Sequence, residues 1–329
     1  MNNEERLCVA LIFGGRGQES QVSVSGRGYV LPFIDREKYT VLEIFIDKTG
    51  RWLGCGGELY PIRGGFAGEN GEFYPVRCAF PLLHGDFGED GVVQGALECM
   101  DIPYVGCDVS AGAVCRDKSY VKIIADSLGI PTLPHLSLIR HEGVDFALRR
   151  VEERLGYPVF IKPARLGSSI GATMANDRGA LYSALKLAFS LCDKAIAEPY
   201  LEVKRELECG YFSTKCKEIF TYPGEILLNG VYGYEEKYLS GDTRLAIRAD
   251  VASAISQRIR EYSRRLVRAL GIRQLCRVDY FLSGDELYFN EINTMPGFTE
   301  GSLYPKMIEA AGFCPTELVN LLIEDCLAR

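Results

Sequence analysis

Residues 277–293 read RVDYFLSGDELYFNEIN, and this stretch determines how the C-terminal part of the chain folds. Two apolar runs, each typical of a buried strand, flank Ser283–Glu286, which has the composition of a hairpin turn. The two runs are interrupted by polar side chains that could serve one site: Asp279, Glu291 and Asn293.

The register of this hairpin determines whether the three side chains meet. Glu291 and Asn293 are two residues apart, so a strand directs both to one face. For Asp279 to lie opposite Glu291 we expect a loop with an odd number of residues, such as Gly284–Glu286, because an even loop would need a β-bulge. The oxygens would then converge beside Arg277 as ligands for Mg²⁺, which also takes phosphate and water. Scattered exposed carboxylates are the alternative, disfavoured because carboxylates within apolar runs are costly to bury unpartnered.

Composition limits the function classes. The chain has 329 residues, 47% of them hydrophobic, enough to bury two or three modest cores. Its net charge of −7 argues against nucleic acid as the main partner. The longest apolar stretches are too short to cross a bilayer, so no membrane partner is expected.

Two further features predict a cytoplasmic protein. The segment Met1–Arg6 is polar and acidic, and no secretory signal is visible. The twelve cysteines are dispersed through apolar runs without any Cys-x-x-Cys pair, which favours small buried hydrophobic groups over a disulfide scaffold or a thiolate metal site.

Strand and helix patterns alternate through the first third of the chain. A buried strand is predicted at Leu7–Phe13, and strands at Thr40–Ile46 and Val76–Leu82 follow. This alternation indicates a parallel sheet with helices on its faces. The later two thirds mix antiparallel strands with a long helix at Ala252–Leu270, so the fold class is α/β with α+β character.

A glycine-rich loop, Arg165–Gly171, follows a strand that presents Lys162. Glycines let backbone N–H groups approach a triphosphate, and the hydroxyls of Ser168 and Ser169 add donors. The Gly-Lys-Ser/Thr helix start of a P-loop is missing. A plain hairpin turn is the alternative.

Other candidate nucleotide ligands lie nearby in the sequence. Lys118 begins a helix and would add a second phosphate ligand, although alone it could be a surface lysine. Glu198–Leu201 follows a strand and would form a hinge whose apolar wall and acid hold adenine, with Glu206 near a ribose; a plain linker is an equal alternative.

The N-terminal third offers two candidate substrate residues. Glu19 follows the glycines at the end of the first strand, where ligands of open parallel sheets gather, and could pair with an ammonium group. An acid that favours the helix dipole is the alternative. His84 lies at the end of another strand in a dense polar loop and is a further candidate.

Seven motifs together resemble the D-alanine–D-alanine ligase family of the ATP-grasp superfamily, from about Leu7 to Phe313. The N-terminal motifs are Gly14-Gly15 with Glu19 and Val22-Ser23, His84-Gly85 with Gly88–Gly91, Asp117-Lys118, and Lys162-Pro163 with Gly167–Ser169. The C-terminal motifs are Tyr234–Tyr238, Arg277–Asp279 and Asn290–Gly297. The resemblance implies a three-domain ATP-grasp fold with an N-terminal parallel-sheet domain, divided at 1–116, 117–203 and 204–329.

The resemblance also implies roles for single residues. ATP would be a substrate whose phosphates meet Lys118, Lys162, Ser168, Ser169 and Lys237, and whose nucleoside meets Glu198, Tyr200, Leu201 and Glu206. Two Mg²⁺ ions, with Mn²⁺ as an alternative, would be held by Asp279, Glu291 and Asn293. Glu19 would bind the ammonium of the first D-alanine and form a trio with Ser168 and Tyr238 that closes a loop. Arg277 and the N–H of Gly297 would stabilise the oxyanion, and the substrate pocket would include His84, Ser302 and Leu303.

The reaction implied is ATP-dependent joining of two D-alanines for peptidoglycan synthesis, by an enzyme that is commonly a homodimer in this family. Relatives that use D-serine or D-lactate often carry arginine where this chain has Leu303, which favours D-alanine as second substrate. A D-alanine–D-serine ligase and a catalytically inactive ATP-binding protein are the competing hypotheses.

Overall fold

The computed structural model describes residues 6–201, 205–227 and 244–329. Lys237 and Tyr238 lie outside the described residues. Within these ranges the chain forms three β-sheets with helices packed against them. None of the described helices is both long enough and apolar enough to cross a membrane.

The first sheet has seven strands in the order β6-β5-β4-β3-β2-β1-β7. They are β1 (Leu7–Gly14), β2 (Tyr39–Ile46), β3 (Trp52–Gly54), β4 (Gly57–Ile62), β5 (Gly65–Gly68), β6 (Phe73–Pro75) and β7 (Cys78–Pro81). The accompanying helices are α1 (Ser20–Val30), a short 3-10 helix (Leu31–Phe33), α2 (Val92–Cys99) and α3 (Val109–Arg116).

The predicted parallel sheet is present, but it is only part of this first sheet. Strand β1 pairs in parallel with β2 and β7, whereas β2 through β6 pair in antiparallel fashion. The short strands β3 to β6 were not predicted, because runs of three to six residues separated by glycines carry little periodicity.

The second sheet is antiparallel and has the order β10-β9-β11-β8. Its strands are β8 (Leu136–Ile139), β9 (Val159–Pro163), β10 (Thr173–Ala175) and β11 (Lys194–Pro199). Helices α4 (Lys118–Ser127), a 3-10 helix (Arg140–Glu142), α5 (Val144–Arg154) and α6 (Arg178–Leu191) belong to this part of the chain. The apolar faces of α5 and α6 cover the sheet, whereas α4 packs against the third sheet.

The third sheet follows the order β15-β14-β12-β16-β17, and β13 also pairs with β12. Its strands are β12 (Arg205–Thr214), β13 (Lys217–Phe220), β14 (Gly224–Leu227), β15 (Arg244–Ala246), β16 (Leu275–Ser283) and β17 (Glu286–Asn293). The helices are α7 (Ser253–Leu270), α8 (Leu303–Ala310) and α9 (Pro315–Leu327). Helix α7 ends where predicted, because Gly271 adopts a left-handed φ of 64°.

In the hairpin of β16 and β17, Asp279 pairs with Glu291 through a β-bulge rather than through a loop with an odd number of residues. Ser283 pairs with Glu286, so the turn has two residues and the expectation of an odd loop was wrong. The register shifts between Tyr280 and Asp279, which leaves Asn290 as an extra residue on β17. Because of this bulge, Asp279 lies directly opposite Glu291.

The C-terminal segment joins the third sheet to the first. One apolar core contains β1 and β7 residues together with residues of α8 and α9. Gln274, which is 1% exposed, adds polar contacts to this junction. Its Oε1 accepts from the N–H of Gly106 at 2.6 Å, and its Nε2 donates to the carbonyl of Leu322 and to Asp325, both at 3.0 Å.

We expect Gln274→Ala to lower the apparent Tm by roughly 5 °C, since it leaves the buried N–H of Gly106 unpartnered at a cost of about 1–3 kcal/mol and removes the amide's two contacts to α9. Thermal denaturation followed by circular dichroism measures this. The matched control is Gln257→Ala on the exposed face of α7, where little change is expected. Equal Tm values for the two variants would contradict this account of the junction.

Candidate active site

A cleft lies between the second and third sheets and contains most of the residues predicted to bind nucleotide or metal. Its walls include Lys118, Lys162, Ser168, Ser169, Glu198, Tyr200, Leu201, Glu206, Asp279 and Glu291. Phe160, Leu133 and Phe281 add apolar surface. The cleft therefore combines basic, acidic and apolar walls, as a nucleotide requires.

Three carboxylates form a row across the floor of the cleft. Glu208 on β12 pairs in register with Asp279 on β16, and Asp279 pairs with Glu291 on β17. Arg277 donates to both oxygens of Asp279 at 2.7 Å and lies 3.3 Å from Glu208. Asn293, opposite Arg277, donates to Asp279 at 3.0 Å. The predicted metal ligands are thus adjacent, and a guanidinium lies beside them.

Lys118 connects the acidic row to the glycine-rich loop. Its Nζ lies 3.0 Å from Glu291 and donates to the carbonyl of Leu166 at 2.7 Å. The side chain of Asp117 caps α4 by accepting from the N–H of Ser119. This cap fixes the position of Lys118, the first residue of the helix.

The glycine-rich loop has an unusual backbone. Ser168 and Ser169 have φ values of 52° and 58°, the left-handed region that residues with a Cβ rarely adopt. Such strain occurs preferentially at functional sites. Both serines line the cleft, which is consistent with a loop shaped to surround a ligand rather than a plain hairpin turn.

Glu198 lies buried between two lysines. Its carboxylate is 2.6 Å from the Nζ of Lys122 and 2.8 Å from that of Lys162. Burial alone would raise the pKa of Glu198, but Lys122 and Lys162 outweigh it and lower the pKa to about 2. Glu198 is therefore ionised at neutral pH.

The cluster around Glu19 adjoins the glycine-rich loop. Ser168 donates to Glu19 at 2.6 Å, so two members of the predicted trio are in contact. The third, Tyr238, lies outside the described residues. Arg116 lies 3.8 Å from Glu19 and contacts two more carboxylates, Asp86 at 3.3 Å and Glu89 at 3.4 Å.

Glycines make this close approach feasible. A Cβ at Gly85, whose φ is 74°, would lie 2.5 Å from an oxygen of Glu19. A Cβ at Gly167 would lie 3.3 Å from the other carboxylate oxygen. Gly85 requires glycine because its φ is left-handed and its backbone passes against the carboxylate, whereas at Gly167 a Cβ would make a tight contact.

Two buried titratable groups surround the Glu19 cluster. His84 makes one ring hydrogen bond, from Nδ1 to the carbonyl of Met295 at 3.2 Å, and burial lowers its pKa. Burial raises the pKa of Glu89 to about 7, although Arg116 opposes this shift. The N–H of Gly85 donates to Glu89 at 2.8 Å.

The predicted oxyanion and second-substrate residues lie in the loop after β17. A Cβ at Gly297 would lie 2.7 Å from the hydroxyl oxygen of Ser302. Ser302 accepts from the N–H of Thr299 at 3.1 Å. Leu303 is buried, and its side chain packs against Gly224.

Sequence reasoning assigned no role to four residues that the structure places at these clusters: Arg116, Lys122, Glu208 and Asn290. Lys122 follows Lys118 by four residues, and that spacing places both on one helix face. Glu208 and Asn290 gave no comparable signal, since one depends on strand pairing and the other on the bulge.

Two sequence profiles match the chain. The profile described as D-ala D-ala ligase C-terminus matches residues 124–324, and the one described as D-ala D-ala ligase N-terminus matches residues 64–107. The first alone spans more than half of the 329 residues.

Curated relatives named D-alanine–D-alanine ligase are similar over nearly the full length. The protein from Solibacter usitatus is 39% identical, with 98% of this chain and 96% of the relative covered. The protein from Caldicellulosiruptor bescii is 35% identical with the same coverage.

Solved structures agree with this assignment. D-alanyl-alanine synthetase A of Vibrio cholerae superposes with a TM-score of 0.90 at 28% identity, covering 98% of this chain and 99% of that one. A D-Ala:D-Ser ligase of Enterococcus faecalis gives 0.88 at 30% identity, covering 98% and 100%. The ATP complex of the Bacillus anthracis D-alanine–D-alanine ligase gives 0.76 at 26% identity, covering 98% and 97%. The predicted ATP-grasp fold is confirmed, and the chain belongs to the D-alanine–D-alanine ligase family of ATP-dependent ligases.

Proposed function

We propose that this protein joins two D-alanine molecules, using ATP and passing through an acyl phosphate, and so supplies D-alanyl-D-alanine for peptidoglycan. One observation carries the proposal: the Asp279–Glu291 pair shares a cleft with Lys118 and Lys162, and the Glu19–Ser168 cluster adjoins the same glycine-rich loop. The groups that we assign to phosphate and to the ammonium thus lie on either side of one loop.

The nucleotide would occupy the cleft between the second and third sheets. Tyr200 and Leu201 supply an apolar wall for adenine, and Glu198 and Glu206 supply acceptors for the nucleoside. Lys118, Lys162, Ser168 and Ser169 would meet the phosphates, and Lys237 would join them from outside the described residues.

The acidic row suits Mg²⁺, with Mn²⁺ as an alternative. Asp279, Glu291 and Asn293 offer the hard oxygen donors that such ions prefer, and we assign two ions to them. Among the described residues no group of three or more His, Cys, Asp or Glu side chains is arranged to hold a metal by itself, so phosphate and water would complete the shell. The ions would offset charge on the phosphates during transfer.

The chain's own groups suit the two chemical steps. Glu19 would hold the ammonium of the first D-alanine. The carboxylate of that D-alanine would take the γ-phosphoryl group from ATP, and ADP would leave. The amine of the second D-alanine then attacks the acyl carbon, and phosphate departs. Arg277 and the N–H of Gly297 would stabilise the oxyanion formed in this step. Ser302 would bind the second carboxylate, with His84 and Leu303 shaping the pocket.

Organisation beyond the site is also part of the proposal. We assign residues 1–116 to a substrate domain, 117–203 to a central lid and 204–329 to the domain with the metal and catalytic groups. We further propose that the protein is a cytoplasmic homodimer. The trio of Glu19, Ser168 and Tyr238 would close a loop that excludes water from the acyl phosphate.

Product identification by mass spectrometry tests the proposed reaction. From ATP, Mg²⁺, D-alanine and D-serine together, we expect D-alanyl-D-alanine as the main product, because Leu303 offers no hydrogen-bond donor or acceptor for a serine hydroxyl. Predominant D-alanyl-D-serine would support the rival ligase. A lack of D-alanine-dependent ADP release would support an ATP-binding protein without catalysis.

Replacing Glu291 tests the acidic row. We expect Glu291→Gln to lower D-alanine-dependent phosphate release by at least about 100-fold, since charge-offsetting contacts at a phosphoryl transfer contribute several kcal/mol. Glu286→Gln, an exposed residue at the turn of the same hairpin, is the matched control and should retain activity. If both variants turn over at the wild-type rate, Glu291 has no role in metal binding.

Replacing Glu19 tests the ammonium site. Glu19→Gln should raise the apparent KM for D-alanine by about 10- to 100-fold, because a hydrogen bond between charged groups is worth about 1.5–3 kcal/mol. Initial rates measured against D-alanine concentration give this value, and Glu37→Gln on the exposed surface serves as control. An unchanged KM would show that Glu19 does not bind the ammonium group of D-alanine.

A further inference from the structure

Lys122 is a buried lysine that the proposed reaction does not use. It lies on α4 one turn after Lys118, and its side chain is 1% exposed. Its Nζ lies 2.6 Å from Glu198 and 3.5 Å from the carbonyl of Phe289. A lysine is rarely buried to this extent unless it is paired, so its contact with Glu198 explains its placement.

The two lysines that share Glu198 differ in their access to the cleft. Lys162 lines the cleft, is 14% exposed, and lies between the rings of Phe160 and Phe281 at 5.4 and 5.6 Å from their centroids. Lys122 is not among the residues of the cleft wall. A ligand in the cleft can therefore contact Lys162, whereas Lys122 remains with Glu198.

This difference matters when a phosphate enters. Lys162 is 2.8 Å from Glu198. To bind a phosphate, its ammonium must either contact the phosphate and the carboxylate together or turn away from the carboxylate. Glu198 is 1% exposed, and removing the only counter-ion from a buried carboxylate is strongly unfavourable. With Lys122 in place, Glu198 keeps a counter-ion throughout.

We propose that Lys122 is a positioning residue that neutralises and holds Glu198, and thereby frees Lys162 to bind the nucleotide phosphates. The inference rests on the proposed function, in which Lys162 meets phosphate and Glu198 meets the nucleoside. Without Lys122, Lys162 stays on Glu198 and the phosphates lose a ligand.

The measurable quantity is the phosphate contribution to binding, defined as the ratio of the Kd for adenosine to the Kd for ADP, each measured calorimetrically with Mg²⁺. We expect Lys122→Met to reduce this ratio by about 10-fold or more, the value of one charge-assisted hydrogen bond. Lys122→Arg should keep the ratio, because it keeps the charge.

A second substitution separates positioning from a loss of structure. In Lys122→Met/Glu198→Gln the carboxylate that retains Lys162 is gone, so the ratio should return to within about threefold of the wild type. A purely structural role for Lys122 predicts instead that the Kd values for adenosine and ADP weaken together, so that their ratio in Lys122→Met stays near that of the wild type. If Lys122→Met does not fold, Lys122→Gln provides a milder change with the same expected direction.

The outcomes distinguish the two levels of the proposal. An unchanged ratio in folded Lys122→Met, or a double variant without recovery, overturns the role of Lys122. A wild-type protein that binds adenosine and ADP equally overturns the phosphate site itself, and with it the proposed function.

Discussion

The pairing of Asp279 with Glu291 across β16 and β17 is the constraint on which the rest of the site depends. It exists because Asn290 adds one residue to β17 after a two-residue turn. Without that bulge, Asn290 would face Asp279 and Glu291 would face the core side with Val278. A single extra backbone residue thus determines that Asp279 and Glu291 lie on the same face of the sheet.

The site concentrates charge in a partly buried space, and several of its described charged groups are paired. Arg277 lies between Asp279 and Glu208, Lys118 contacts Glu291, and Glu198 lies between Lys122 and Lys162. Buried ions without partners cost several kcal/mol, so these pairs keep the ligand-free cleft stable. In the proposed function, a bound triphosphate and its cations would exchange for some of these partners.

The first sheet contributes to the same site through packing. Helix α9 and Gln274 fix the third sheet to the first, and Glu19 is the N-cap residue of α1. The hydroxyl of Ser23 accepts from the N–H of Gly14 and donates to the carbonyl of Leu82, which ties α1 to the ends of two strands. Glu19 is therefore held by a rigid framework, and Ser168 of the glycine-rich loop donates to it.

The sequence by itself determined the types of the longer elements, the hairpin, the motifs of the family and most of the residues that line the cleft. These follow from local periodicity and from residue chemistry at short spacing, which a chain carries without its fold. Only the tertiary structure decided the register of β16 and β17, the row completed by Glu208, and the lysine pair around Glu198. Each of these depends on which distant strand or helix becomes a neighbour, and that choice is made by packing of the whole chain rather than by any local pattern.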